Sequence, residues 1–230
     1  MLACKKEETT TPPGPSIQYD IIGSVNLFDD GPNSVIDSGM VVAIEGSNPS
    51  ISAVTDIDGE FTLSEVPKGT YTLTYSKADY GVYKRFAVDH NSNENTVITD
   101  NPSLGQKSSI QVTISQANVV NDSLVLTTQT NPAGNVGTTI YLRVLFGKDS
   151  NLSPTNFDHF TPVYFSNNSP SVTKFSKQEL LSFGFQSGEE VYVEVNGESF
   201  FSNDYFDPTL NRQVFPNLLH SVGVLDFIVP

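Results

Sequence analysis

The sequence predicts an all-β protein built from two β-sandwich domains. Short runs rich in Val, Ile, Thr, Tyr and Phe recur along its 230 residues, and 16 glycines and 14 prolines are spread between them. Short strands separated by turn residues at close intervals are typical of β-sandwiches. No long stretch keeps the 3.6-residue spacing of apolar side chains that an amphipathic helix needs. Because a chain of this length can bury two ordinary hydrophobic cores, we predict one domain over 18–104 and another over 105–230.

The charge of the chain restricts its partners. Its 12 Lys and Arg residues stand against 26 Asp and Glu residues, which gives a net charge of −14. Such a surface repels the phosphates of nucleic acids, so binding to nucleic acid is not expected. The charge either keeps an exposed protein in solution or belongs to an acidic site, and both interpretations stay open.

The first six residues, MLACKK, resemble the end of a bacterial lipoprotein signal peptide, in which the cysteine becomes the lipidated N-terminus. Cys4 is the only cysteine, so no disulfide can form within the chain. The next segment, Lys5–Ser16, is rich in charge, threonine and proline, which predicts a disordered linker. The resemblance implies an outer-membrane lipoprotein of the bacterial cell envelope, periplasmic or surface-facing, with 1–17 as anchor and linker. The alternative is a stray free cysteine.

The first predicted domain consists of short strands joined by turns. The segment TDIDG, Thr55–Gly59, predicts a hairpin turn, because aspartate side chains accept hydrogen bonds from backbone N–H groups and glycine tolerates a positive φ. Pro67 and Gly69 predict the next turn. The turn Asp29–Asn33 follows the first strand. The predicted strands are Tyr19–Phe28, Gly39–Gly46, Thr70–Ser76, Tyr83–Val88 and Thr96–Ile98.

The stretch TDIDGEFTLSEVPKGTYTLTYSKADY resembles the core of a carboxypeptidase regulatory-like domain, a transthyretin-like (prealbumin-like) β-sandwich. Gly23 and Val25 match the opening strand of that family, and Ala78–Gly81 matches its corner, with Asp79 where glycine is commoner. The resemblance covers about 18–104. It implies a non-enzymatic role, since such domains accompany enzymes, transporters or adhesins and supply stability or a contact surface.

The second domain is predicted from pattern alone and is interpreted as immunoglobulin- or fibronectin-III-like. It follows a junction at Asn101–Lys107, which has few strand formers. Ser176 and Glu179 form a capping-box pattern, so Ser176–Leu181 is the one predicted helix. Phe200–Pro216 is predicted to be a long loop. The predicted strands are Ser109–Ser115, Ser123–Thr128, Thr139–Gly147, Pro162–Ser166, Ser171–Phe175, Glu190–Val195 and Ser221–Val229.

No catalytic set, cofactor or metal is predicted. His90, His159 and His220 fall in predicted loops far apart, and the sequence has no Gly-x-Ser-x-Gly nucleophile elbow. Asp56 and Asp58 resemble the first half of a calcium loop but lack its further ligands, and a turn held by side-chain-to-backbone hydrogen bonds explains them without an ion. Asp204 and Asp207 in the long loop allow the same two interpretations.

Aromatic side chains in the long loop are the remaining candidates for binding. They lie close in sequence to amides, carboxylates and one arginine, a combination that can hold a sugar or a peptide. The alternative is that they pack the underside of the loop, and the chain has no tryptophan for stacking on sugars. We therefore predict a non-enzymatic envelope lipoprotein that is a binding or scaffold module, with another envelope protein or a glycan as partner besides the membrane. The alternatives are a glycan-binding accessory of a nutrient-uptake system and a structural or adhesive surface subunit. The candidate residues are Phe200, Phe201, Tyr205, Phe206 and Arg212, with Phe215 beside them.

Overall fold

The protein is all-β, as predicted, and a computed structural model describes residues 18–219 and 223–230. The predicted anchor and linker with Cys4, as well as His220, lie outside the described residues. The first nine strands are β1 (Tyr19–Ser24), β2 (Asn26–Phe28), β3 (Val41–Ile44), β4 (Ser52–Val54), β5 (Glu60–Val66), β6 (Gly69–Ser76), β7 (Tyr83–His90), β8 (Thr96–Val97) and β9 (Ser103–Gly105).

Two sheets in the first half, with strand orders β5-β1-β8 and β4-β3-β6-β7, pack their apolar faces together. Alternate residues of these strands point inward, as the period of two requires, and Ile21, Leu63, Leu73 and Tyr75 are fully buried. A short parallel pair, β2 with β9, lies beside them. The junction predicted to lack strands therefore contributes one, because Ser103–Gly105 pairs with Asn26–Phe28.

The TDIDG segment forms the predicted turn but not the predicted hairpin. The Asp56 carboxylate accepts hydrogen bonds from the backbone N–H groups of Asp58 (3.0 Å) and Glu60 (2.9 Å), and Gly59 has a φ of 77°. However, β4 pairs with β3 and β5 pairs with β1, so the turn carries the chain from one sheet to the other. The Pro67–Gly69 turn makes the opposite crossing, since β6 pairs with β3 and β7.

The described part of the second half, up to 219 and from 223 onward, contains ten further strands and one short helix. They are β10 (Gln111–Val120), β11 (Ser123–Asn131), β12 (Ile140–Gly147), β13 (His159–Phe160), β14 (Tyr164–Ser166), β15 (Ser171–Ser176), α1 (Lys177–Ser182), β16 (Glu190–Glu198), β17 (Tyr205–Asp207), β18 (Arg212–Val214) and β19 (Leu225–Ile228). The helix begins after Ser176, and the predicted capping box with Glu179 is present. The predicted long loop contains a β-hairpin, β17–β18.

The second half also packs two sheets around an apolar core. One sheet has the order β10-β11-β15, and the other places β12 between β16 on one side and β13 and β14 on the other, with β19 beyond β16. Strand β12 is buried on both faces, and Val144 and Phe146 face this core. On the opposite face Leu145 packs against Phe157 and Phe215, so 200–219 covers that side of the sheet.

The two apolar cores draw their residues from 21–104 and from 110–229. We propose that these cores mark the two predicted domains, 18–104 and 105–230. Expression of 18–104 alone, followed by a thermal melt, would test whether the first core folds without the second.

Candidate functional site

Two buried asparagines of the second half bind the first half of the chain, which ends with β9 at Gly105. The Asn203 side chain accepts a hydrogen bond from the Gly105 N–H (2.7 Å) and donates to the carbonyls of Gly105 (2.9 Å) and Gly81 (3.2 Å). The Asn217 side chain accepts from the Gly81 N–H (2.9 Å) and donates to the carbonyls of Gly105 (3.0 Å) and Phe201 (2.8 Å). Because both amides are almost fully buried, these bonds are shielded from water.

The glycines of this joint are required by close approach. A Cβ on Gly81 would lie 2.5 Å from the Asn217 side-chain oxygen, and one on Gly105 would lie 2.5 Å from the Phe201 carbonyl oxygen. Any side chain at either position would push the halves apart. We call the contact of Gly81 and Gly105 with Asn203 and Asn217 the asparagine joint.

Two of the predicted binding residues pack at the boundary between the halves. The ring of Phe201 lies 4.0 Å from that of Phe28. The ring of Tyr205 lies 6.1 Å from that of Tyr83 and 6.0 Å from that of Phe86. These contacts match the self-packing interpretation of the long loop.

The other predicted binding residues lie elsewhere on the segment. Arg212 stacks its guanidinium 5.2 Å from the Phe157 ring and donates to the Thr155 carbonyl. Phe206, on β17, is 52% exposed, and Phe200 is 47% exposed. The structure therefore does not gather the five candidates in one place. Of the five, Phe200 borders the cavity that also involves Tyr141 and Phe165.

A polar cleft lies where the two halves meet. Its volume is about 330 Å³, and the first half of the chain borders it with the Asp29–Asn33 turn. The residues of the second half that border it are Ser109, Ile110, Pro132, Gly137, Thr138, Thr139 and Tyr141. Asp29 holds its own turn, since its carboxylate accepts from the N–H groups of Gly31 (2.8 Å) and Asn33 (3.1 Å).

Asp30 borders the polar cleft and connects the Asp29–Asn33 turn to the second half through hydrogen bonds. Its carboxylate accepts a hydrogen bond from the Ser109 N–H (3.0 Å) and another from the Ser109 hydroxyl. Its backbone carbonyl accepts from the Phe200 N–H (2.9 Å). One residue thus fixes the turn to two separate segments of the other half.

An aromatic shelf adjoins the polar cleft. We give this name to Tyr141, Phe165 and Phe200, which border a second cavity of about 210 Å³ together with Val163 and Tyr164. Strands β12 and β14 place Tyr141 directly opposite Phe165, and Phe200 meets Tyr141 edge to face with ring centroids 5.6 Å apart. Phe165 is 72% exposed. Tyr141 borders both cavities, so the shelf and the cleft are neighbours.

The electrostatics of the cleft favour a hydroxyl that keeps its proton. Burial raises the pKa of Tyr141, and the nearby carboxylates of Asp29 and Asp30 raise it further, because a phenolate there would be repelled. The shift shows that the charge of the two carboxylates acts on Tyr141.

The described residues bring together no set suited to metal binding or to catalysis by histidine. Within 18–219 and 223–230, no three His, Cys, Asp or Glu side chains converge on one point. His90 ends strand β7 and is buried, with Nδ1 2.7 Å from the Thr96 hydroxyl. His159 lies in β13 and stacks 3.8 Å from Phe183. The prediction that these two histidines occupy loops is wrong, because β7 extends two residues further than the pattern indicated and the short strand β13 was not predicted.

Three of the four carboxylates considered for calcium accept hydrogen bonds from the protein. Asp56 caps the TDIDG turn, as described above. Asp207 accepts from the N–H groups of Thr209 and Leu210, and Asp204 accepts from the Gln213 amide. Hydrogen bonds within the turn account for Asp56 and Asp207.

A buried ion pair beneath 200–219 was not predicted. Arg143 on β12 donates from Nε to the Glu198 carboxylate (2.9 Å) and from a terminal nitrogen to the Thr161 carbonyl (2.7 Å). Its guanidinium lies 4.0 Å from the Phe215 ring. Burial raises the pKa of Glu198 to about 7, although the charge of Arg143 opposes the shift. The signal available in the sequence was an arginine inside the apolar run of β12.

No protein-family model matches this chain, and no curated protein matches it either. Among solved structures, one chain of a type II cohesin–X-dockerin complex from Acetivibrio cellulolyticus is 25% identical, with a TM-score of 0.32 over 39% of this chain and 59% of that one. This chain therefore spans less than two thirds of that relative.

Two other solved structures cover most of the chain. A protein from Bacteroides uniformis, provisionally described as carbohydrate binding, is 12% identical over 92% of this chain and 99% of its own, with a TM-score of 0.31. A DUF3823 family protein from Parabacteroides merdae is 12% identical over 89% and 98%, with a TM-score of 0.29. These similarities are too distant to transfer a function, so the resemblances to a carboxypeptidase regulatory-like domain and to a lipoprotein stay predictions. Within the described residues, no helix is long and apolar enough to cross a membrane.

Proposed function

We propose that this protein is a non-enzymatic module that binds a glycan in the polar cleft and on the aromatic shelf. The observation that carries the proposal is the adjacency of the two at Tyr141, which borders both. A glycan presents apolar C–H faces, which pack on aromatic rings, and hydroxyls, which need hydrogen-bonding partners. The shelf offers the first kind of contact, and the cleft offers the second.

The exposure of the shelf supports a binding role. Phe165 leaves 72% of its surface in water and lies next to Phe200, which leaves 47%. A scattered apolar side chain needs no explanation, whereas adjacent exposed aromatics beside a concave polar surface are typical of an interaction site. The rings are also held in place, because Phe165 pairs across β12–β14 with Tyr141, and Tyr141 packs against Phe200.

The carboxylates of the cleft are better suited to holding structure than to hydrolysis. Glycoside hydrolases need two carboxyl groups on opposite sides of the scissile bond, one of them free to give a proton. Asp29 and Asp30 are neighbours in one turn, and both accept hydrogen bonds from backbone N–H groups. We therefore propose binding without catalysis.

We also propose that Cys4 carries a lipid that anchors the module to the bacterial envelope, as the MLACKK segment suggests. Metabolic labelling with a palmitate analogue in a Gram-negative host would test this, with Cys4→Ser as the control. Label that persists in Cys4→Ser would contradict the proposal.

Glycan binding is tested by calorimetry with a panel of plant, microbial and host oligosaccharides. We expect Phe165→Ala to weaken binding at least ~10-fold, which corresponds to about 1.4 kcal/mol, because the stacking surface is lost. Phe206→Ala is the matched control, since Phe206 is similarly exposed but borders neither cavity. Equal losses in the two variants, or no binding by the unmodified protein, would refute the proposal.

A further inference from the structure

We infer that the ligand is an uncharged glycan of at least two sugar rings, and that the site rejects glycans bearing carboxylate or sulfate groups. This inference rests on the proposed glycan-binding function. It concerns which glycans the polar cleft and the aromatic shelf can accept.

The number of rings follows from the division of the site. The shelf cavity, at about 210 Å³, lies below the ~300–1,000 Å³ typical of pockets that enclose a whole small ligand. It offers apolar contact through Phe165 and Phe200. The hydroxyl and amide groups of Asn33 and Thr138 border the cleft on the other side of Tyr141. One ring on the shelf and the next in the cleft would use both surfaces, whereas a single ring can use only one of them.

The charge of the ligand follows from the charges of the walls. Asp29 and Asp30 border the cleft, and among the described residues that border either cavity there is no lysine, arginine or histidine. Cationic donors such as Arg and Lys make the strongest hydrogen bonds to carboxylate and sulfate groups. The negative charges of Asp29 and Asp30 also contribute to the raised pKa of Tyr141, which borders the cleft. The overall charge of −14 adds a long-range repulsion of anions.

The surroundings of Asp30 allow its charge to be removed without removing its hydrogen bonds. Its carboxylate acts only as an acceptor toward Ser109. An asparagine side chain has an oxygen that can accept in the same place. Asp30→Asn therefore lowers the negative charge of the cleft while keeping the turn attached.

The test compares hexasaccharides of cellulose, xylan, mannan, starch and chitin with hexasaccharides of polygalacturonate, alginate and heparin, at 20 mM and 300 mM salt. We expect binding to at least one neutral family and at least ~10-fold weaker binding to every anionic one. The difference should shrink at high salt, since ions screen exposed charges, and it should shrink in Asp30→Asn. Within the neutral family that binds, the disaccharide should bind at least ~10-fold more tightly than the monosaccharide.

Each outcome decides one point. Anionic hexasaccharides that bind as tightly as neutral ones would overturn the charge inference and leave glycan binding intact. A monosaccharide as tight as the disaccharide would overturn the two-ring inference. An unchanged preference in Asp30→Asn would show that the cleft charge does not set it. If no member of the panel binds, the proposed function itself fails.

Discussion

Replacement of Asn217 by alanine should destabilise the protein by about 2–4 kcal/mol. The variant removes the acceptor of the buried Gly81 N–H and the donor to the Gly105 and Phe201 carbonyls. A buried group left without a partner costs ~1–3 kcal/mol, and each further lost hydrogen bond costs ~1 kcal/mol. The Gly105 and Phe201 carbonyls keep the Asn203 amide and the Ser199 hydroxyl as donors, which limits the loss.

The measurement is urea denaturation followed by tyrosine fluorescence and by circular dichroism, with Asn151→Ala as control. Asn151 is also an asparagine with hydrogen bonds, but it is exposed on the 149–156 loop, so its loss should stay within ~0.5 kcal/mol. If Asn217→Ala unfolds with the same midpoint as the unmodified protein, the asparagine joint does not contribute the stability assigned to it. Two separate transitions in the variant, where the unmodified protein shows one, would indicate that the joint couples the halves.

Two further predictions concern stability. Because the pKa of Glu198 rises from its ordinary value of 4.5 to about 7 on folding, the folded state binds more protons between these values, and the free energy of unfolding should fall by about 3 kcal/mol as the pH rises from 4.5 to 7. In Glu198→Gln this contribution disappears, and the same change in the free energy of unfolding between pH 4.5 and pH 7 in the variant and in the unmodified protein would contradict it. Gly105→Ala should cost about 1–3 kcal/mol, because its Cβ would lie 2.5 Å from the Phe201 carbonyl oxygen. Gly137→Ala is the control and should leave the thermal midpoint nearly unchanged, because its Cβ would lie 3.5 Å from the nearest atom. Equal midpoints for the two variants would show that the asparagine joint accommodates a methyl group at Gly105.

Local signals in the sequence predicted local structure. Ser176 and Glu179 lie three residues apart, so their capping box depends on little beyond the helix itself. Asp56 and Gly59 likewise form their turn from adjacent residues. The partners of the strands on either side of that turn could not be predicted in the same way, because strand pairing joins segments distant in sequence. A hairpin was expected, whereas the turn crosses between sheets.

The site depended on distant contacts even more strongly. Phe201 and Tyr205 pack against Phe28 and Tyr83 from the first half, so their role in the boundary could not be predicted from neighbouring residues. Tyr141 and Phe165 did not enter the candidate list, since each lies alone in a strand pattern and only the pairing of β12 with β14 brings them together.

Polar residues inside strands were missed for a related reason. The predicted strand Glu190–Val195 ends before Glu198, whereas β16 extends to that residue. The face of β16 that points away from the main apolar core is covered by 200–219, and Glu198 is buried there against Arg143. The two residues are 55 positions apart, so periodicity alone carries no information about their pairing.

The asparagine joint has a consequence for ligand binding in the polar cleft. The cleft has one wall on each half of the chain, and Asp30, Asn203 and Asn217 hold the halves at a fixed spacing. A ligand would bind to a preorganised site that needs no closing movement, so little conformational entropy would be lost on association. Selection among ligands would then depend on steric fit, and a glycan with an additional branch at the bound ring would be excluded.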